Sequence, residues 1–228
     1  MKAHSVSTIE DVINDNRLFE SQLRKPTGKI GKLVGDFMDE FNKDKSYWTI
    51  ESLNIEASDI ILEVGFGTGH SIRHLSKLAS AGTVNGIDFS ETMLEVAAKK
   101  CDQEIQQGKV ILTKGDVSDS GFKSGTFDKI LVVNVMYFWN DVVGTLSELQ
   151  RILKPGGRIA LFVYHKDSPL QKNRGKGGVF KEFSGQYGIN LLQNAGFIHT
   201  KFDEKSFEDG RMIGVRLIGE KASKESHG

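Results

Sequence analysis

The sequence predicts an α/β fold, a doubly wound and mostly parallel sheet with a helical extension ahead of it, and three observations predict it. Five short apolar runs, at 60–64, 83–87, 110–112, 129–133 and 158–164, are each followed by a turn, and longer helical patterns separate most of them. Strands joined by such crossovers pair in parallel and are covered on both faces. The first of these runs leads straight into Gly65-Phe66-Gly67-Thr68-Gly69-His70, three alternating glycines at a strand's carboxyl end. The last two extended runs, 197–202 and 211–219, are joined by Glu208-Asp209-Gly210, a turn short enough to make them antiparallel to each other.

Ahead of the sheet, residues 8–24 carry Ile9, Val12, Ile13, Leu18, Phe19 and Leu23 among polar neighbours. Residues 30–41 carry Ile30, Leu33, Val34, Phe37, Met38 and Phe41, the i, i+3, i+4, i+7 spacing of an amphipathic helix. Lys25-Pro26-Thr27-Gly28 breaks the two. Beyond the fourth strand, Leu153-Lys154-Pro155-Gly156-Gly157-Arg158 reads as a helix stop and a glycine turn into the fifth. Residues 179–195 read as a helix ending at Gly196, a C-terminal cap. No repeat is evident. The organisation expected is a helical cap over 1–50, one cofactor-binding domain over 51–220 and a frayed tail over 221–228.

Thirty basic residues balance thirty acidic ones, so the net charge is zero and phosphate neutralisation does not suggest a nucleic-acid partner. The single cysteine, Cys101, cannot form an intrachain disulfide and sits in helix-patterned sequence, which fits a reducing compartment. A zinc cage or other metal site is not indicated. The chain opens without a long apolar run, so no signal peptide or membrane span is expected, and the expected location is cytoplasmic.

Four features fall at the ends of successive strands, where open α/β sheets bind their ligands. The first is Glu63 with Gly65, Gly67 and Gly69, where missing Cβ atoms let the backbone approach a ligand and the next helix offers free N–H groups. The second is Asp88 in Gly86-Ile87-Asp88-Phe89-Ser90, a carboxylate able to accept from both hydroxyls of a ribose. The third is Gly115-Asp116-Val117, an acceptor and an apolar neighbour suited to an adenine. The fourth is Asn134, followed by Val135-Met136-Tyr137-Phe138-Trp139. The glycine spacing is GxGxG rather than the GxGxxG of dinucleotide sites.

Together these residues and the Leu-Lys-Pro-Gly-Gly turn resemble the class I S-adenosylmethionine-dependent methyltransferases, in the small-molecule branch of the ubiquinone and menaquinone type, over residues 48–219. The resemblance implies a Rossmann-like seven-stranded sheet with the last strand inserted antiparallel. It implies S-adenosyl-L-methionine as cofactor and S-adenosylhomocysteine as product. By motif position, Gly65, Phe66, Gly67 and Gly69 would lie along the methionine part, with Glu63 orienting it. Asp88 would take the ribose and Phe89 the adenine face, while Asp116 and Val117 would meet the adenine amino group and ring. The Asn134 carbonyl would approach the methionine amino group.

The acceptor side is less defined. Candidates for a general base are His165 at the end of the fifth strand, Tyr137 after the fourth and Tyr47 before the first. His165 could equally be a solvated loop residue. His70 opens a helix, where the dipole does not favour a cation, and His74 reads as a helix-face residue. Phe138 and Trp139 suit core packing as well as substrate stacking. Lys166, Lys172, Arg174, Lys176 and Lys181 lie in a glycine-rich loop that could meet an anion or simply be solvated. The N-terminal helices could cover the acceptor or mediate a dimer. Removing 1–45 is expected to spare cofactor binding and abolish turnover.

The partner expected is a small-molecule acceptor, used by a monomer or homodimer. Asn134-Val135-Met136-Tyr137 lacks the Pro-Pro-aromatic motif of the methyltransferases that modify nucleic-acid bases. Two other functions share the fold: a cofactor-binding regulatory protein without catalysis, and a nicotinamide-dependent oxidoreductase, against which the GxGxG spacing and the terminal hairpin speak.

Overall fold

The computed structural model describes residues 9–168 and 183–223. Seven strands form one sheet: β1 (Ile60–Val64), β2 (Thr83–Asp88), β3 (Val110–Lys114), β4 (Phe127–Val133), β5 (Leu153–Tyr164), β6 (Ile198–Phe207) and β7 (Met212–Glu220), in the order β3-β2-β1-β4-β5-β7-β6. The first five pair in parallel, and β7 is antiparallel to both β5 and β6. This is the predicted Rossmann-like architecture, with the terminal hairpin turning at Glu208–Gly210.

Ile61, Leu62, Ile130, Leu131 and Val132 are fully enclosed, as central parallel strands with helices on both faces require. The helices are α4 (His70–Leu78), α5 (Glu91–Lys100), α6 (Asp102–Gln106), α7 (Val142–Ile152) and α8 (Gly185–Asn194), behind an N-terminal group α1 (Ile9–Asn14), α2 (Asn16–Arg24) and α3 (Gly28–Glu51). Among the described residues no helix is long and apolar enough to cross a membrane.

Several boundaries differ from those expected. Where one helix was expected over 8–24, the described residues 9–24 form two, because the Asp15 side chain accepts from Leu18 N and starts a new one. The helix expected over 30–41 runs from Gly28 to Glu51, so it crosses the anticipated domain boundary at 50. No glycine or proline interrupts it after Gly35, and Asn54, in a left-handed conformation at φ 50°, follows its end. The strand expected to begin at 158 pairs from Leu153, with a register shift opposite the Pro155-Gly156-Gly157 turn. Gly196, at φ 88°, follows α8 as expected of a C-terminal cap. Lys221, expected to begin the tail, donates through Nζ to the carbonyls of Arg151 and Leu153. The basic loop from Lys172 to Lys181 and the last residues, 224–228, lie outside the described residues.

Candidate active site

The strand order reverses between β1 and β4, and the cleft opens at their carboxyl ends. Gly65 and Gly67 have φ of 71° and 52°, conformations that favour glycine, and they need glycine for different reasons. A Cβ on Gly65 would come within 2.4 Å of Val135 Cγ2, so Gly65 lets the turn lie against the loop after β4. A Cβ on Gly67 would meet nothing within 4 Å and would project into open space. Gly69, at φ 86°, caps α4 and packs on Ala97 and Cys101.

Asp88 closes the same turn. Its Oδ2 accepts from Gly67 N at 3.0 Å and its Oδ1 from Ser90 N at 2.8 Å, so one buried carboxylate joins the glycine turn to the start of α5. Burial raises its pKa, and the hydrogen bonds from Ser90 and Gly67 work against that rise. Glu63 is 4% exposed, and its Oε2 has no partner among the described residues. Burial lifts its carboxyl well above the usual range, a hydrogen bond from Ser71 opposes the shift, and Asp39 and Asp88 add to it. Asp39, from α3, accepts from Thr68 Oγ1 and from Lys100 Nζ.

Two cavities continue into one another along this cleft. The first runs over Glu63, Gly65, Gly67 and Asn134 and is roofed by Gly35, Met38, Asp39 and Asn42 of α3. The second, about 430 Å3, runs past Asp88 and Phe89 to Asp116, Val117 and Trp139. Arg24, Gly65, Asp88, Phe89, Val135 and Phe138 border both. Asp116 is exposed and its Oδ1 accepts from Ser118 N and Ser118 Oγ. Every residue assigned to the cofactor by sequence, except Gly69, therefore borders the first cavity, the second or both; Gly69 stands behind the turn as the cap of α4.

A third cavity, about 190 Å3, is almost wholly apolar: Phe19, Phe37, Phe41, Tyr137, Phe138 and Tyr164 supply six aromatic rings, with Ile13, Leu23 and Met38 between them. It shares Leu23, Met38, Asn134 and Phe138 with the first. Asn134, at φ 58°, stands on the partition between them.

The three residues expected as bases are not together. His165 does not border these three cavities; its Nδ1 accepts from Asp167 N at 3.1 Å, and its Nε2 lies 3.9 Å from Glu204 Oε1 on β6. The β5–β7 pairing turns it that way, since its N–H donates to Ile213 O. Tyr137 is 2% exposed and its hydroxyl accepts from Tyr164 N. Tyr47 is half-buried between α3 and α4, with its hydroxyl 2.9 Å from Nε2 of His70, which does border the cleft. Its ring also lies against His74, whose pKa is lowered by burial and by His70 and Lys77. Burial pushes the Cys101 thiol up to about 12, so it is inert.

Sequence reading missed the α3 residues Asp39 and Asn42. The signal was present: Gly35, Asp39, Asn42 and Ser46 repeat at i, i+4, i+7 and i+11, a small and polar stripe beside the apolar one. Phe37, Met38 and Phe41 of the apolar stripe line the aromatic chamber, and the polar stripe lines the cleft.

A glycine turn at the switch point, a buried acid at the end of β2 and an antiparallel β7 define an adenosyl-cofactor-binding α/β domain. The comparisons with known proteins agree. Residues 62–161 match the methyltransferase domain family. The chain is 31% identical over 144 residues to YdaC of Bacillus subtilis, described as an uncharacterized methyltransferase, covering 63% of this chain and 77% of that one. It is 37% identical over 109 residues to the demethylmenaquinone methyltransferase of Tropheryma whipplei, covering 48% of this chain and only 43% of that relative's length. A solved S-adenosylmethionine-dependent methyltransferase from Aquifex aeolicus shares the fold at a TM-score of 0.64 and 19% identity, over 82% of this chain and 96% of the other. The chain belongs to the S-adenosylmethionine-dependent methyltransferase family.

The site's own chemistry fits that cofactor. Asp39, Glu63 and Asp88 set three carboxyl groups around a cleft that must hold a cationic sulfur and an ammonium. The unpartnered Glu63 Oε2 offers an acceptor, and the open space at Gly67 leaves room for a ligand against the backbone.

Proposed function

We propose that the chain transfers the methyl group of S-adenosylmethionine to an apolar, oxygen-bearing ring of the quinol type and releases S-adenosylhomocysteine. The observation that carries this reading is the aromatic chamber, walled by six rings and opening past Asn134 and Phe138 onto the methionine end of the cleft. Such walls favour a flat apolar molecule, which offset and edge-on ring contacts would hold. The naming of the Tropheryma whipplei relative for demethylmenaquinone supports it.

When bound, the cofactor supplies a methyl on a cationic sulfur, which keeps the electron pair of the broken C–S bond as the acceptor forms its new bond and sheds a proton to solvent. The protein contributes proximity and orientation. In this reading Glu63 and the Asn134 carbonyl take the ammonium, and Gly65 and Gly67 let the methionine part lie on the backbone. Asp88, already holding two N–H groups, uses its remaining lone pairs for the ribose hydroxyls. Phe89, Asp116 and Val117 take the adenine. Tyr47 acts through His70, which it orients at the rim of the cleft. Tyr137 is a wall of the chamber, and His165 has no part in the transfer. The reading makes the protein a cytoplasmic monomer or homodimer whose one thiol, buried Cys101, stays reduced.

The test is incubation of the purified chain with S-adenosylmethionine and dithionite-reduced 2-prenyl-1,4-naphthoquinone. Equal amounts of methylated quinol and S-adenosylhomocysteine are expected. A protein that binds S-adenosylhomocysteine yet yields no methylated quinol under reducing conditions would end this reading.

A further inference from the structure

A chain of hydrogen bonds runs through the partition between cleft and chamber. The main-chain N–H of Tyr164 can only donate, and it donates to the Tyr137 hydroxyl oxygen. The Tyr137 hydroxyl donates to Asn134 Oδ1, 3.3 Å away. With its oxygen accepting, Asn134 donates through Nδ2 to Asn42 Oδ1 at 2.8 Å. The Tyr164 hydroxyl donates to the same oxygen at 3.4 Å. Asn42 Oδ1 thus receives from two sides, which assigns the other end of the amide. Its Nδ2, with two N–H groups, has no acceptor among the described residues. Asn42 borders the cleft where Met38, Asn134 and Phe138 join it to the aromatic chamber.

We infer that Asn42 positions the acceptor: its Nδ2 donates to an oxygen of the bound ring and turns the reacting atom toward the methyl donor. This rests on the reading of the chamber as the acceptor site. The ligand chemistry it selects is a ring carrying a phenolate, hydroxyl or carbonyl oxygen beside the nucleophilic position, since a bare hydrocarbon would leave the amide unsatisfied. An amide is neutral at every working pH, so it holds an oxyanion without competing for its proton, and a donor to a charged oxygen is the stronger kind of hydrogen bond.

The substitution Asn42→Asp separates this role from a structural one. A carboxylate at that position still accepts from Asn134 Nδ2 and the Tyr164 hydroxyl, so the partition survives, while the donor becomes a second acceptor that repels an oxyanion. N42D is expected to melt with the wild type, and because Asn42 also borders the cofactor cleft its affinity for S-adenosylhomocysteine is measured beside turnover and should change far less than turnover does. Its kcat/KM for reduced 2-prenyl-1,4-naphthoquinone should fall about 10- to 100-fold, the effect of losing one hydrogen bond to a charged group. Unchanged kcat/KM would overturn the role of Asn42, and so would a parallel loss of S-adenosylhomocysteine affinity, which would assign the amide to the cofactor's carboxylate. Should N42D fail to fold, N42A is judged by the same pair of readouts. Wild-type protein that neither binds nor methylates the quinol overturns the acceptor reading and this inference together, whereas a wild type that methylates it at a rate N42D matches overturns Asn42 alone.

Discussion

Glu63 concentrates the electrostatics of the cleft in one group. It is buried beside Asp39 and Asp88, and its carboxyl is held well above the usual range. Below that raised pKa the free protein carries there a proton that a cationic ligand expels, so affinity for S-adenosylmethionine should rise as pH rises through it. The same proton stabilises the empty fold. Between the unfolded and the raised folded pKa the native state binds more protons, so this group's contribution to stability is full at low pH and is lost as pH rises. Glu63→Gln removes both effects. It should raise the melting temperature of the free protein at pH 8 and weaken S-adenosylmethionine binding about 10- to 100-fold, the range for a hydrogen bond to a charged group. Calorimetry in buffers of different ionisation enthalpy checks it: proton release on binding should appear in the wild type and vanish in E63Q. At this scale much of the cleft's lining was legible, because Glu63, Gly65, Gly67, Asp88 and Asn134 sit at strand ends that local pattern locates. Asn42 was not, because its importance comes from partners at positions 134 and 164.

Helix α3 shows why element boundaries were harder to read than element types. Its apolar repeat lapses after Phe41 into Asn42-Lys43-Asp44-Lys45-Ser46, which looks like an ending, yet the hydrogen-bond ladder continues because nothing in the sequence breaks it. What buries that polar stretch comes from the far end of the chain. Lys45 Nζ, its side chain 3% exposed, donates to Glu208 Oε1 in the β6–β7 turn and to the Phe41 carbonyl, and lies 4.3 Å from the Phe41 ring centre. Arg216 of β7 donates to the Trp48 carbonyl at 2.6 Å and stacks on its ring. A segment read as an appended cap is thus clamped to the last strands of the sheet. The two partners of the clamp differ in exposure, Glu208 being 35% exposed, and this decides which loss matters. Glu208→Gln leaves a buried ammonium without its counter-charge and should cost about 2–4 kcal/mol, toward the range for breaking a buried ion pair. Lys45→Met keeps the stem against Phe41 and Phe207 while a half-exposed carboxylate returns to water, so it should cost less than about 1.5 kcal/mol, as volume-conserving exchanges do. Urea unfolding followed by tryptophan fluorescence measures both, and equal losses would show that the pair does not work through Lys45 burial.

Across the whole molecule, the N-terminal helices and the cofactor turn close over one space rather than two. The expectation that residues 1–45 could be removed without loss of cofactor binding took the extension to cover the acceptor alone. The cleft is instead walled by Gln22, Leu23, Arg24, Met38, Asp39 and Asn42 from α2 and α3 as well as by the glycine turn. The roof is tied down from both ends: Ser90 Oγ donates to the Pro26 carbonyl, Gly28 N donates to Thr92 Oγ1 at 3.0 Å, and Asp39 accepts from Thr68 and Lys100. The parallel pairing of the first five strands and the terminal hairpin could be read from sequence because crossover and hairpin connections admit few arrangements. The roof's double duty could not, because each of these ties joins residues at least 29 positions apart. A ligand lying under this roof is expected to draw it closed, as substrate-induced lids do. Binding of S-adenosylhomocysteine should therefore slow amide hydrogen exchange across residues 16–51 as well as around 63–70 and 86–90, since closing contacts raises the local free energy of opening. Truncation of 1–45 should abolish S-adenosylhomocysteine binding for the same reason. Protection confined to 63–90, with α2 and α3 exchanging as fast as in the free protein, would mean that the roof covers the acceptor only and that the cofactor is held by the sheet alone.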